Sequence, residues 1–130
     1  MILDTTVIIR IMQGNPKVIR TVKRLERNQV RLTVSLITVY ELYHSLERVS
    51  NPEERQQTIE AVLDSKPKYP ADEVVMKKAG RIDGRLTANG REIGAVDTII
   101  AATAVVHEES ILTENVKHFE RVDGVSVETY

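Results

Sequence analysis

The chain has 130 residues, 42% of them apolar and 28% charged, with a net charge of −1. That balance is that of an ordinary globular protein rather than a disordered or membrane one and leaves no global pull toward nucleic acid or anionic lipid, so such binding needs a local patch. There is no cysteine, which excludes disulfides, thiolate nucleophiles and Cys-ligated zinc and suits a reducing compartment.

In chain order, residues 1–3 read as a short buried strand and 5–13 as a helix that Gly14-Asn15 stops. A second helix is predicted over 16–28, with Pro16 well placed in its first turn. Residues 31–34 resemble the next strand, followed by a long helical pattern over 35–49. Asn51-Pro52 with Glu53 and Glu54 marks another helix start, since an Asn cap, a first-turn proline and first-turn acids all favour one. Residues 66–69, flanked by Pro67 and Pro70, suit an edge strand. Residues 71–88 carry an apolar stripe at helical spacing that Asn89-Gly90 ends, with Gly80 and Gly84 inside it, where close helix packing is the expected reason for glycine. A helix over 96–107, a strand over 110–113, a short helix over 115–119 and a strand over 125–127 complete the pattern.

Short apolar strands alternating with helices define an α/β fold: a three-layer α/β/α sandwich around a mainly parallel sheet of about five strands, in one domain over residues 1–130. No basic segment followed by a long apolar run opens the chain, and no stretch approaches the roughly 20 apolar residues of a spanning helix. A cytoplasmic protein without membrane contact is therefore expected.

In open α/β sheets ligands bind outside the carboxyl ends of strands, so polar residues just after a strand are the first to weigh. Asp4 follows the first strand, where aspartate is equally a favoured helix cap. Asp97 lies in the first turn of a helix, where the dipole alone favours a carboxylate. Glu41 sits on a helix face with Ile37, His44, Ser45 and Arg48, and Asn115 follows the "ILT" strand as a good cap. Each is ordinary alone. Together they converge on one end of the expected sheet, and an all-oxygen set with several carboxylates is what Mg²⁺ or Mn²⁺ prefers.

The segments "MILDTTVII", "TVYELYHSL", "GAVDTIIAATA" and "LTENVKHFERV" together resemble a PIN domain, specifically the VapC-type toxin ribonucleases of toxin–antitoxin systems. The resemblance runs from residue 1 to about 128. It implies the PIN-like sandwich, with Asp4, Glu41 and Asp97 as metal ligands and Asn115 at a fourth polar position where relatives often carry aspartate. It also matches Thr6 to a hydroxyl that orders the site, and Ala101, Ala102 and Ala104 to small residues after the third acid. Because Asn115 is neutral and no second acid adjoins Asp97, one well-held metal ion is expected.

The activity implied is metal-dependent hydrolysis of RNA phosphodiester bonds with Mg²⁺ or Mn²⁺ as cofactor. A metal-free mechanism would need histidines, and none of His44, His107 and His118 stands in a marked setting in the sequence. For substrate, Lys17, Arg20 and Arg24 recur with Arg27 at helical spacing, and Arg31 extends that register. "KKAGRIDGRL" adds Lys77, Lys78, Arg81 and Arg85. For the first stripe a solvated helix face is the plainer reading and an RNA track the functional one; for the second the resemblance implies a place near the substrate groove or an antitoxin groove. The resemblance further implies a homodimer and a small antitoxin protein as partner. A phosphoacceptor receiver domain shares the architecture but requires an acidic pair after the first strand, and Asp4 stands alone. A PIN-like RNA-processing enzyme without a toxin role, or an inactive interaction module, are the remaining alternatives.

Overall fold

Ile2 and Leu3 divide the molecule. Neighbouring residues of a strand point to opposite faces, and these two are completely buried in different cores. A computed structural model describes all residues from Met1 to Tyr130. In it strands β1 (Ile2–Leu3), β2 (Val34–Ser35), β3 (Lys68–Tyr69), β4 (Ile111–Leu112) and β5 (Val127–Glu128) alternate with helices α1 (Thr5–Met12), α2 (Pro16–Arg27), α3 (Leu36–His44), α4 (Pro52–Asp64), α5 (Glu73–Ala88), α6 (Ala95–His107) and α7 (Val116–Phe119).

All strand pairs are parallel: β1 with β4, β4 with β5, and β2 with β3. A bridge between Ile2 and Thr33 joins the two groups, with Leu3 N donating to Thr33 O at 2.8 Å, so the order across the molecule is β3-β2-β1-β4-β5. Leu3, Val34 and Leu112 face a core closed by Val7 and Ile8 of α1, Val18, Val22 and Leu25 of α2, and Ile59 and Leu63 of α4. Ile2 and Ile111 face the other core, closed by Val75, Ala79, Ile82 and Leu86 of α5, Ile100 of α6 and Phe119 of α7. This is the three-layer sandwich expected from the alternating pattern. No helix is long and apolar enough to cross a membrane.

Several boundaries move. The second strand is Val34–Ser35 rather than 31–34, because Ser35 both pairs with Tyr69 and caps α3, its Oγ accepting from Ile37 N at 3.3 Å. The helix expected over 35–49 stops at His44 and tightens into a 3₁₀ turn over Ser45–Arg48, where the Ser45 hydroxyl donates to Leu42 O and competes with the helical ladder. The last strand starts at Val127, after Gly124 turns the chain with a φ of +85°. Close packing does not explain Gly80 or Gly84, since a Cβ at either position would meet open space.

Candidate active site

The site is built where β1, β2 and β4 end. β1 delivers Asp4 to the start of α1. Its main chain is pinned by Asp4 N donating to Leu112 O at 3.0 Å, and its side chain is almost wholly buried. Asp4 Oδ1 accepts from Thr5 N at 2.7 Å, so the aspartate does cap α1. Its other oxygen is held separately: Thr113 Oγ1, at the end of β4, donates to Asp4 Oδ2 at 2.7 Å. Thr113 in turn accepts from Asn115 N at 2.8 Å, a short relay that links Asp4 to Asn115.

Burial pushes the Asp4 carboxyl up to about 6, against the hydrogen bonds from Thr113 and Thr5, which lower it; the negative charges of Asp97 and Glu41 add to the rise. Asp97 and Glu41 therefore lie within electrostatic reach of Asp4. Helices α1, α3 and α6, which follow three different strands or turns, bring the three carboxylates to one edge. Three acids held together without a counter-charge are costly, and oxygen donors of this kind suit a hard dication. As the side chains stand, no three of the histidine, aspartate and glutamate groups are close enough to hold an ion between them, so the fit to a cation rests on the chemistry of the donor set.

The remaining residues singled out in the sequence fall as follows. Asn115 precedes α7, but its side chain makes no capping hydrogen bond and is exposed. Thr6 is half-buried, and the hydroxyl bond that orders Asp4 comes from Thr113 instead. Thr5 is the buried member of the pair, its hydroxyl 3.0 Å from that of Thr38 on α3. Glu114, the acid just before Asn115, is taken by Arg10, which reaches its two oxygens at 3.0 and 3.3 Å, and by Tyr130 OH at 2.8 Å.

His118 departs from expectation. Its Nδ1 lies 2.9 Å from Asp97 Oδ2, so one histidine does stand in a marked setting. A contact across 21 residues is invisible to spacing, because it depends on how α7 docks against α6. The other two histidines are engaged elsewhere. His44 stacks on Tyr40 with Arg48 Nη2 at 3.4 Å from its Nδ1, and His107 stacks on Tyr69 at 4.0 Å between ring centres.

The two basic stripes lie on opposite layers. Lys17, Arg20 and Arg24 line a shallow groove of about 390 Å³ on α2 together with Lys23 and Arg27. Arg81 and Arg85 line another, of about 400 Å³, with Lys77 and Lys78 on α5. Arg31 does not extend the α2 stripe: it sits over the Tyr69 ring at 5.9 Å and donates to Tyr69 OH at 3.4 Å.

With this geometry in place, comparison with known proteins gives the class. The PIN domain family model matches residues 1–125, and the chain belongs to that family. Within it, the chain is 30% identical over 128 residues to the tRNA(fMet)-specific endonuclease VapC of Shigella flexneri, covering 98% of this chain and 96% of that one. Its fold matches the DNA-bound VapBC of Salmonella typhimurium with a TM-score of 0.88 at 28% identity, covering 98% of this chain and 96% of that one. VapBC-5 of Mycobacterium tuberculosis, a member of the VapBC family of toxin-antitoxin systems, matches with a TM-score of 0.69 at 25% identity over 98% and 94% of the two chains.

Proposed function

We propose that this protein is a metal-dependent endoribonuclease and the toxin of a toxin–antitoxin pair, acting in the cytoplasm as a homodimer that a small cognate antitoxin protein binds. The observation that carries the reading is the buried Asp4 carboxylate at the end of β1, with Asp97 and Glu41 within electrostatic reach of it, in a chain of the PIN family. The ribonuclease names of its relatives support RNA as substrate, and the solved VapBC assemblies support an antitoxin partner.

In this reading Asp4, Glu41 and Asp97 hold one Mg²⁺ or Mn²⁺. When bound, such an ion neutralises charge gathering on the scissile phosphate and lowers the pKa of water at the site. The protein's own groups do the positioning. Thr5 N and Thr113 Oγ1 fix Asp4 in one orientation, so its remaining lone pairs have a single direction. The Asn115 amide is not spent on its helix and is available to donate to a phosphate oxygen. Thr6 offers a hydroxyl from the first turn of α1. Of the two basic stripes, Arg81 and Arg85 on α5 are the side chains offered to the RNA backbone, ahead of Lys17, Arg20 and Arg24 on α2.

The test is cleavage of total RNA by purified protein. Activity is expected with Mg²⁺ or Mn²⁺, to vanish with a chelator, to return when the ion is restored, and to be abolished in Asp4→Asn and Asp97→Asn. Equal cleavage by wild type and Asp97→Asn would sink the assignment.

A further inference from the structure

We propose that His118 is a positioning residue for the metal centre, its imidazole Nδ1 holding Asp97 Oδ2 so that the carboxylate presents its other oxygen to the cation. The inference rests on the nuclease reading above and extends it to a residue outside the acidic set.

Asp97 is the third residue of α6, a position from which a carboxylate often reaches back to its own helix start. Here it does not. α6 has no side-chain cap, its N-cap being Gly94 with a φ of +97°, and the Asp97 carboxylate has His118 Nδ1 as its hydrogen-bond partner at 2.9 Å. The orientation of Asp97 is thus set from α7 and not from its own helix.

The support behind His118 is firm. The next residue, Phe119, is completely buried against α5 and α6. One turn further on, Arg121 Nη1 donates to Arg91 O and Glu92 O, each at 3.3 Å, tying the segment to the loop that leads into α6. Both ends of the His118–Asp97 contact are therefore anchored to the same piece of structure. A ring carrying its proton on Nδ1 makes this bond whether neutral or charged, so the contact does not depend on protonation.

The pair is part-exposed, with His118 at 41% and Asp97 at 18% side-chain exposure, and exposed ion pairs contribute little to folding. Orientation is what it offers. Asp4 likewise takes a hydrogen bond from Thr113, in addition to the one from Thr5 N, so each of the two carboxylates is held by a neighbour from the β4–α7 segment. Hydrogen-bonded supports of this kind typically change metal affinity by about 10–100-fold when removed.

The experiment measures Mn²⁺ binding by calorimetry on cation-stripped full-length protein, for wild type, His118→Ala, His118→Asn and His118→Gln. The Asn amide nitrogen can occupy the place of Nδ1, while the Gln amide reaches the place of Nε2. His118→Ala is expected to weaken Mn²⁺ binding by about tenfold with little change in melting temperature. His118→Asn should recover most of the affinity and His118→Gln should not, with RNA cleavage by the Ala variant returning at saturating Mn²⁺. Unchanged or tighter Mn²⁺ binding in His118→Ala, or no recovery in His118→Asn, overturns the role of His118 while leaving the nuclease intact. A wild type that neither binds Mn²⁺ nor cuts RNA removes the metal reading itself.

Discussion

At the scale of single residues, Asp4 shows the cost of building a site. Its carboxyl titrates at about 6 in the folded protein against 3.8 when exposed. Between those values the folded state keeps a proton that the unfolded chain has released, so this residue's contribution to stability falls as pH rises through the window and is level above it. The difference corresponds to about 3 kcal/mol at neutral pH without a cation. Asp4→Asn removes the charge and keeps an oxygen to accept from Thr5 N. It is expected to raise the unfolding free energy of cation-free protein at pH 7.5 by about 1–3 kcal/mol, measured by urea denaturation, while abolishing cleavage. The gain should shrink as pH falls toward 3.8 and vanish by about pH 3. Added Mn²⁺ should stabilise the wild type and not the variant, since only a state that binds the ion is favoured by it. Asp4 was legible in the sequence as the polar residue ending an apolar run. Thr113 and His118 were not, because the side chains they hold lie 109 and 21 residues away and only the packed fold brings them together.

Elements differ in how much of their reason lies in local sequence. The alternation of strands and helices, the Asn15 and Asn51 caps with their following prolines, and the edge position of β3 all follow from neighbours in the chain. The end of α3 and the register of β2 do not, since Ser45 and Ser35 are diverted by backbone groups and partner strands that spacing does not encode. Glycine separates the two cases within one hairpin of helices. Gly80 and Gly84 sit exposed inside α5 with open space around them. Gly80→Ala and Gly84→Ala are each expected to stabilise the protein by about 0.5–1 kcal/mol in thermal or urea unfolding, with cleavage unchanged. Gly94 also faces open space, but its φ of +97° and ψ of 155° are accessible to glycine almost alone. Gly94→Ala should therefore cost about 1–3 kcal/mol and, because it leads directly into the turn carrying Asp97, lower cleavage as well.

The whole molecule carries a net charge of −1 and the proposed site is acidic, so in the proposed function RNA is drawn in by local fields. Two are present, one on each side of the sheet: α2 packs on the Leu3 face and α5 on the Ile2 face. They are not equivalent. α5 leads through residues 89–94 into α6, which begins with Asp97, and Arg85 shares a cavity with Arg121, one turn past His118. The α2 stripe has no such continuity with the acids, and its Lys17, Arg20 and Arg24 line a groove formed by α2 alone. A single strand entering the acidic edge should follow the α5 side. Arg81→Gln with Arg85→Gln is expected to raise KM for RNA with little change in kcat, as uniform binding energy is lost. The slope of log affinity against log salt should flatten by about 1.4, the value for two contacts to single-stranded phosphates. The triple change of Lys17, Arg20 and Arg24 to Gln should leave both quantities near wild type. If the α2 variant loses RNA affinity and the α5 variant does not, the RNA runs over the other layer, and the basic face of α5 is then a solvated helix surface or a contact for the antitoxin.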